Sequence, residues 1–548
     1  MTASSIPWVH RERPGLGGGV TVRRTAMSAV AEVETAHHAA SLAARDMATW
    51  SNFRISPDAA LLPELDTIAA RVDDLTRNNG IAAGAERTFV DNVIGPRVRC
   101  KPNPDRIALG RSAEWVAEWS QQVESLFGSY FDTDWFDAGL RYNGHVSTRL
   151  LARTIAATGE GLALPLYTKR NGSRWNTCIQ LVDPARLSNP NGSADTSTLR
   201  GGVEIDAVTT AAVAYHIRKS HPGDAFSLRS AFSAGAWERI PAYQAFGRRR
   251  VIHVYESERV GQTRGKSIVA AVARQFKMLD KYAVEQVRLA VLNSLVFGAL
   301  ETPLDQQSIV EMMGGAGADG LDDPSAAFAA YQSAINEWRV QMRGGAIIPM
   351  PPGTNLKPFA PNNQNAASFE QFFRTVLKQV GAGLNIGYEL TSKDFSQSNY
   401  SSARAALLEA WRYFLSVRQF LVDHWLDPIF DLWFEEAVQR GLIPDCTPDD
   451  YYPNQRAWTR CNWTFAGRGW VDPLKEALAA KARMDGNIST MADECAEQGR
   501  DWREQLEQMA RENALADELG LPRPHVANPR IAAAEIAADT KLAVAGND

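Results

Sequence analysis

The chain has 548 residues, 45% of them hydrophobic and 22% charged, with a formal charge of −5 at pH 7. That length exceeds one ordinary core and implies several domains, and the balance excludes both a disordered chain and a membrane-embedded one. A strong duplex binder carries a clear basic patch, and the net charge gives no sign of one.

Residues 1–40, with Gly15-Leu16-Gly17-Gly18-Gly19 and little apolar patterning, read as a flexible arm. Helical periodicity begins near Leu61 and runs through Leu65, Ile68, Ala69 and Val72 until Asn79-Gly80 breaks it. Further helices are predicted over 84–93, 105–131 and 146–158, the second with Trp115, Trp119, Val123 and Phe127 on one stripe. Short β-like segments follow at 162–167, 178–182, 213–217 and 251–255, separated by Asn189-Pro190, Asn191-Gly192 and Pro222-Gly223 turns. With a late aromatic strand at 462–465 they imply an α+β domain made from non-contiguous pieces.

A mixed helix is predicted over 267–297, followed by the Gly-rich run Gly314 to Gly320, a short helix at 326–342 and a strand-like 346–349. The chain reverses there. A second helix starts at Ser368, with Gln371 placed to complete a capping box, and continues to Val380. The longest helix spans 402–440, about 58 Å at about 1.5 Å per residue. Trp411, Phe414, Trp425, Ile429 and Trp433 recur on its buried face. Pro428 is expected to bend it, and Gly441 to end it. Tyr413, Leu415, Phe420, Val422, Phe430 and Phe434 put apolar surface on more than one side, which fits two packing partners. After Asp472 come three short helices, with Thr490/Asp493 and Asp501/Glu504 at capping positions and Gly520 and Pro522 closing the last. From about Pro522 the chain is Ala-rich, loosely ordered or docked on another chain.

Five scattered cysteines without C-x-x-C spacing fit a reduced, cytosolic environment, and nine dispersed histidines offer no zinc site. The N-terminus has no apolar signal core, and the apolar run 289–300 contains Asn293 and Ser294 and is too short to span a membrane. Gly261-Gln262-Thr263-Arg264-Gly265-Lys266-Ser267 looks like a phosphate-binding loop, but the required first glycine is Val260. Its plain alternative is a helix start with Gly265 as a hinge. Gly15 to Gly19 follows no strand and fails the dinucleotide context. Neither G-x-S-x-G nor H-E-x-x-H occurs, and Asp132-Thr133-Asp134 lacks a partner for a metal, so no enzyme, cofactor or metal is expected.

One set of motifs is specific. Lys393-Asp394-Phe395 followed by Asn399-Tyr400-Ser401-Ser402-Ala403-Arg404, Arg77-Asn78-Asn79 followed by Asp91-Asn92-Val93-Ile94-Gly95, Gly202 to Asp206, His253-Val254-Tyr255, Arg264-Gly265, and Val471-Asp472-Pro473-Leu474-Lys475-Glu476 occur in this order. The set resembles the lambda-type portal proteins of tailed bacteriophages over about residues 45–520. It departs at Lys266-Ser267-Ile268, where the family pattern has an apolar residue and a proline.

The resemblance implies a mainly helical, multi-domain α+β portal architecture with a long kinked helix, assembling as a ring. By it, residues 1–40 are an arm, 41–265 the wing, 266–297 and 366–384 the two stem helices, and 298–365 the clip between them. Residues 385–401 are the channel loop, 402–441 the long helix, 442–470 the wing's return strand, 471–521 the crown and 522–548 a tail. It further implies a homo-oligomer of twelve subunits at one capsid vertex, in the virion after assembly in the host cytoplasm. Double-stranded DNA passes through without being read, the terminase large subunit and then a head-tail adaptor dock, and the major capsid protein surrounds the ring.

A channel that lets DNA slide is served by few strong phosphate contacts, which suits the weak net charge. By the resemblance Lys393, Ser396, Gln397, Ser398 and Asn399 face the channel and touch phosphate. Phe395 and Tyr400 anchor the loop base in apolar packing, and Ser401 or Ser402 caps the long helix. Two other functions compete. One is a nucleotide-binding packaging ATPase using Lys266, which would bind ATP and lose it on Lys266→Ala; the other is a soluble adaptor that caps the head, which would form no ring with a DNA-width bore.

Overall fold

The computed structural model describes residues 53–224, 235–295, 298–301, 355–358, 364–396, 400–469 and 472–525. The chain divides into Met1–Ile55, of which only 53–55 are described and carry no regular structure, and Ser56–Asp548. The arm, the helix at 326–342, the strand at 346–349 and most of the tail lie outside the described residues.

Helices α1 Pro57–Leu61, α2 Leu65–Asn78, α3 Gly80–Val93, α4 Ala113–Phe131 and α5 Gly144–Thr158 form the first third. Asn79 breaks α2 by starting α3: its side chain accepts the N–H groups of Ile81 and Ala82 at 3.1 and 3.0 Å. Helix α4 starts later than its pattern predicts because Asp105 accepts from the N–H groups of Ile107 and Ala108, closing a turn first. Between α3 and α4 lies β1 Arg99–Pro102, a strand the sequence does not announce.

Strands β2 Glu160–Tyr167, β3 Thr177–Val182, β4 Leu199–Arg200, β5 Val203–Ile205, β6 Ala212–Arg218, β7 Trp237–Pro241 and β8 Ile252–Tyr255 form two antiparallel sheets, ordered β3-β2-β8 and β4-β5-β6-β7. Leu162, Leu164, Val203, Tyr215, Ile217 and Ile240 make the core between them. Helix α6 Ala273–Leu295 begins six residues after Ser267, because Ser267 donates to the Ala156 carbonyl and residues 267–272 are drawn into tight turns against α5. Strands β9 Gly298–Glu301 and β10 Asn355–Pro358 then pair antiparallel, so the intervening segment leaves and returns at one place. Helix α7 Gln364–Gly383 packs on α6 through Tyr282, whose ring lies 5.2 and 5.1 Å from Phe369 and Phe372. It starts four residues before Ser368, which is therefore interior and not a cap.

A short α8 Tyr388–Ser392 precedes the longest element, α9 Tyr400–Leu421, a π-turn Val422–Leu426 and α10 Asp427–Gln439. The helix keeps going through Pro428. Its path is eased by the π-turn, in which the Asp427 N–H bonds to the Val422 carbonyl five residues back, widening the turn that the proline ring would otherwise clash with. Gly441, at φ +64°, donates to Val438, and Leu442 donates to Ala437, a glycine-centred stop.

Trp425, Phe430, Trp433 and Phe434 are fully buried on this helix. Phe127 lies 5.1 Å from Phe430 and 4.9 Å from Trp433, Trp175 lies 5.3 Å from Trp433, and Trp119 lies 5.8 Å from Trp458. The expectation of a second packing partner narrows accordingly. Val422, Phe430 and Phe434 are buried in their own chain and Tyr413 and Phe420 pack partly against it, which leaves Leu415 exposed.

The late strand, β11 Cys461–Thr464, pairs with β1 and not with the two larger sheets. Then follow α11 Pro473–Asp485, α12 Met491–Glu497 and α13 Trp502–Glu518, the last tied to this ribbon at its start. Arg99 reaches Glu504 at 2.6 Å, and Lys101 pairs with Asp501. Thr490 and Asp493 form both bonds of a capping box, and Asp501 accepts from the N–H groups of Arg503 and Glu504. The described residues are thus mainly helical with small sheets and no closed barrel. Trp433→Ala is expected to cost about 3–5 kcal/mol, read as a lower denaturation midpoint at unchanged slope.

Candidate functional site

The loop before the long helix starts from a fixed root. Helix α8 ends at Ser392, whose hydroxyl donates to the Tyr388 carbonyl at 2.7 Å. Lys393 takes a left-handed turn, φ +60°, and its Nζ donates to the Thr88 hydroxyl on α3 at 2.5 Å. The Asp394 carboxylate accepts from the Tyr388 O–H at 2.8 Å and from the Ser396 O–H and N–H at 2.6 and 3.0 Å, with Arg374 3.9 Å away. Those Ser396 and Tyr388 bonds hold its carboxyl well below the ordinary range, at about 2.

Lys393, Asp394 and Ser396 thus come together at the foot of the loop. Phe395 is 47% exposed in this chain, so its apolar packing is not made within it. Ser401 and Ser402 lie inside the first turn of α9, past the capping position, because that helix already begins at Tyr400. Gln397, Ser398 and Asn399 lie outside the described residues.

The segment that resembles a phosphate loop is built otherwise. Arg264 and Glu160 are both buried. Arg264 Nε lies 2.9 and 2.8 Å from the two Glu160 oxygens, Nη2 adds a further bond to the carboxylate, and His253 Nε2 lies 3.0 Å from it. The remaining guanidinium N–H groups donate to the carbonyls of Leu187 (2.8 Å), Gly201 (2.6 Å) and Pro184 (3.2 Å).

A phosphate loop presents free backbone N–H groups to an anion. Here the Gly265 N–H donates to Glu160 at 3.2 Å and the Thr263 N–H to Asp58 at 2.8 Å, so carboxylates occupy those donors. Lys266 pairs with Glu258 at 2.6 Å. Close packing requires glycine at 265: a Cβ there would stand 2.0 Å from the Gly159 carbonyl oxygen. Burial alone would raise the Glu160 carboxyl, but the Arg264 charge and the bonds from His253 and Arg264 outweigh it and hold the group at about 2.

The motif at 77–95 is a second junction. Arg418, on α9, donates to the carbonyls of Val93 (2.8 Å), Asn92 (2.7 Å) and Ala466 (2.8 Å). It closes the C-terminal end of α3, where carbonyls lack partners and the helix dipole favours a cation. Trp411 and Phe465 flank its guanidinium at 4.6 and 5.1 Å, and burial lowers its pKa to about 10. Gly95, at φ +72°, must be glycine because a Cβ would stand 2.4 Å from that of Ala466. Arg149 holds both Asp91 (2.7 Å) and the Gly95 carbonyl (2.5 Å). Among the described residues no helix is long and apolar enough to cross a membrane, and no group of three or more His, Cys, Asp or Glu side chains is placed to hold a metal.

The sequence model of phage portal proteins of the lambda family matches residues 43–418. The chain belongs to that family. The portal protein of Escherichia phage N15 is 32% identical over 488 residues, 87% of this chain and 89% of its own. Portal protein B of Escherichia phage lambda is 30% identical over 509 residues, 91% of this chain and 93% of its own. Among solved structures, a chain of the native gene transfer agent virion covers 84% of this chain and 94% of its own, with a TM-score of 0.42 and 12% identity.

The chain is a portal protein, and the nucleotide-binding alternative at Lys266 is not supported. Thr88, Glu160, Asp58 and Arg418 escaped the sequence reading. Only Arg418 left a trace there, as a lone cation on an apolar helix stripe.

The Glu160 clasp has a pH signature. Its folded pKa of about 2 lies below the ordinary 4.5, so the contribution is complete above about pH 4.5 and is lost as pH falls toward 2. Unfolding titrations are expected to show the denaturation midpoint falling across that window. Glu160→Gln is expected to lose about 3–5 kcal/mol already at pH 7 by leaving Arg264 buried without its counter-charge, and to flatten the acid limb.

Proposed function

We propose that copies of this portal chain close into a ring at one vertex of a phage head, and that double-stranded DNA enters and leaves through its bore. Family membership over residues 43–418 carries the reading. On it, 41–265 is the wing, 266–297 and 366–384 are the stem, 298–365 is the clip, 385–401 the channel loop and 471–521 the crown. The packing of α6 on α7 through Tyr282 and the pairing of β9 with β10 support a two-helix stem with an excursion at one end. The clip docks the terminase large subunit and then a head-tail adaptor, and the major capsid protein holds the wing's outer edge.

No bond is made or broken by this chain. Gln397, Ser398 and Asn399 offer a hydroxyl and amides to phosphate, contacts that guide DNA without reading it, while Ser396, whose O–H is given to Asp394, braces their start. The subunits join head to tail, a contact that closes only when the rotation per subunit divides a circle. Twelve is the number the family implies.

Light scattering with negative-stain microscopy of the purified chain is expected to show a ring of about a dozen subunits with a central hole; a chain that stays monomeric even with its capsid proteins refutes the reading. Deleting Ser396 to Ser398 is expected to leave rings intact while DNA packaging or retention fails. Loss of ring assembly in that variant would count against the channel-loop assignment.

A further inference from the structure

We propose that Thr88 is a positioning residue for the channel loop and that Lys393 is its tether, bonded back onto α3 and not directed at phosphate. The inference rests on the portal reading for its consequence and on this chain's own geometry for its substance.

Lys393 occupies the left-handed region at φ +60°, a conformation that costs a non-glycine residue roughly 1–2 kcal/mol and persists only where the surroundings enforce it. The enforcing contact is on α3. Thr88 is 5% exposed, and its hydroxyl proton is committed to the Gly84 carbonyl at 2.8 Å. A hydroxyl has one proton and two lone pairs, so the group can meet Lys393 only as an acceptor, and the 2.5 Å approach of Nζ uses it so.

The neighbours reinforce the turn. Ser392 bonds back to Tyr388, the Asp394 N–H donates to the Ser392 hydroxyl at 3.2 Å, and Asp394 gathers Tyr388 and Ser396. The ammonium is therefore anchored by one of its three N–H groups where the loop leaves α8, and the next charge along the chain is a carboxylate that its bonds keep ionised.

The consequence concerns how DNA is handled. A lysine on phosphate releases a counterion and makes binding fall with salt, by a slope of about 0.9 per phosphate contact for duplex DNA. With Lys393 tethered and Asp394 ionised beside it, the two charges offset and the root of the loop adds no such contact. DNA is centred by the loop and not gripped by it.

Hydrogen exchange on the full-length protein tests the tether without DNA, using Thr88→Val, Thr88→Ser and Lys393→Met. Thr88→Val and Lys393→Met are each expected to speed exchange at the 393–396 amides about tenfold, the change expected from losing one hydrogen bond to a charged group. The double variant should go no further, and Thr88→Ser, which keeps the acceptor, should match the parent. The salt dependence of duplex association, measured with a short random-sequence DNA, should be the same for the parent and Lys393→Met.

Unchanged exchange in both single variants would overturn the tether. A salt slope shallower by about 1 in Lys393→Met would overturn it too, because that is the mark of a lost phosphate contact. If Thr88→Val does not fold, Lys393→Met, at an exposed position, carries the same exchange test. If the chain forms no rings and touches no DNA, the portal reading falls while the exchange result still decides whether Thr88 holds Lys393.

Discussion

Both sheets and the entry to α6 meet at one buried ion pair. Glu160 opens the central strand of one sheet, His253 reaches it from the neighbouring strand, and Arg264 lies on the segment that leads into α6. The same guanidinium takes the carbonyls of Pro184, Leu187 and Gly201 from the loops around the second sheet. Asp58 on α1 adds the Thr263 N–H and Arg200.

Burying two charges costs several kcal/mol for each ion, and their attraction offsets it only if every donor and lone pair is filled. Here all five guanidinium N–H groups are used. Two sheets, a helical layer and the start of α6 can satisfy that set in one arrangement. The clasp therefore fixes where α6 begins and which way it leaves, and the loop at Lys393 takes its position from the α3 and α7 neighbours that this arrangement sets side by side.

The long helix answers from the other half. Its aromatic face fills the core between α4 and the β2–β3 hairpin, while Arg418 plugs the end of α3 with a cation. One element thus touches the motif at 77–95, the ribbon β1–β11 through Trp463 and Asp427, and the loop root at its own N-terminus. A rigid member joining those places passes displacement between them as a unit, since packed side chains do not compress.

How much of this was legible in the sequence follows the range of the interactions. Helix periods, the capping box at Thr490, the Gly441 stop and the α+β middle are written in residues a few positions apart, and they hold. Strand β1 was invisible because its partner lies some 360 positions away and its Arg-Cys-Lys-Pro composition carries no alternating pattern. Ser368 with Gln371 had the right letters for a cap, yet helix α7 already runs through them. Pro428 signalled an irregularity, and it stands just past the π-turn Val422–Leu426, which the sequence did not foretell.

At the candidate site the motif located the loop, and the lysine's destination was hidden, since Thr88 on a helix looks like any other threonine. The near-phosphate loop failed for the same reason in reverse. Its glycine and lysine were plain to see, while the carboxylates that fill its amides come from Asp58 and Glu160, 205 and 105 positions away.

The π-turn at Val422–Leu426 also separates two rotational settings. Each residue advances an α-helix by about 100°, so the extra residue held in the wide turn offsets the face that α9 shows to α3 and to the loop from the face that α10 buries among the tryptophans. The core thereby dictates the phase of both helices, taking Phe430 and Trp433 from α10 and Phe414, Val417 and Leu421 from α9. A lineage that lost one residue here would close the turn onto the Pro428 ring and swing α9 by more than a quarter of a turn relative to α10, carrying Phe414 out of the core and Arg418 off the end of α3 along with the loop that α9 follows.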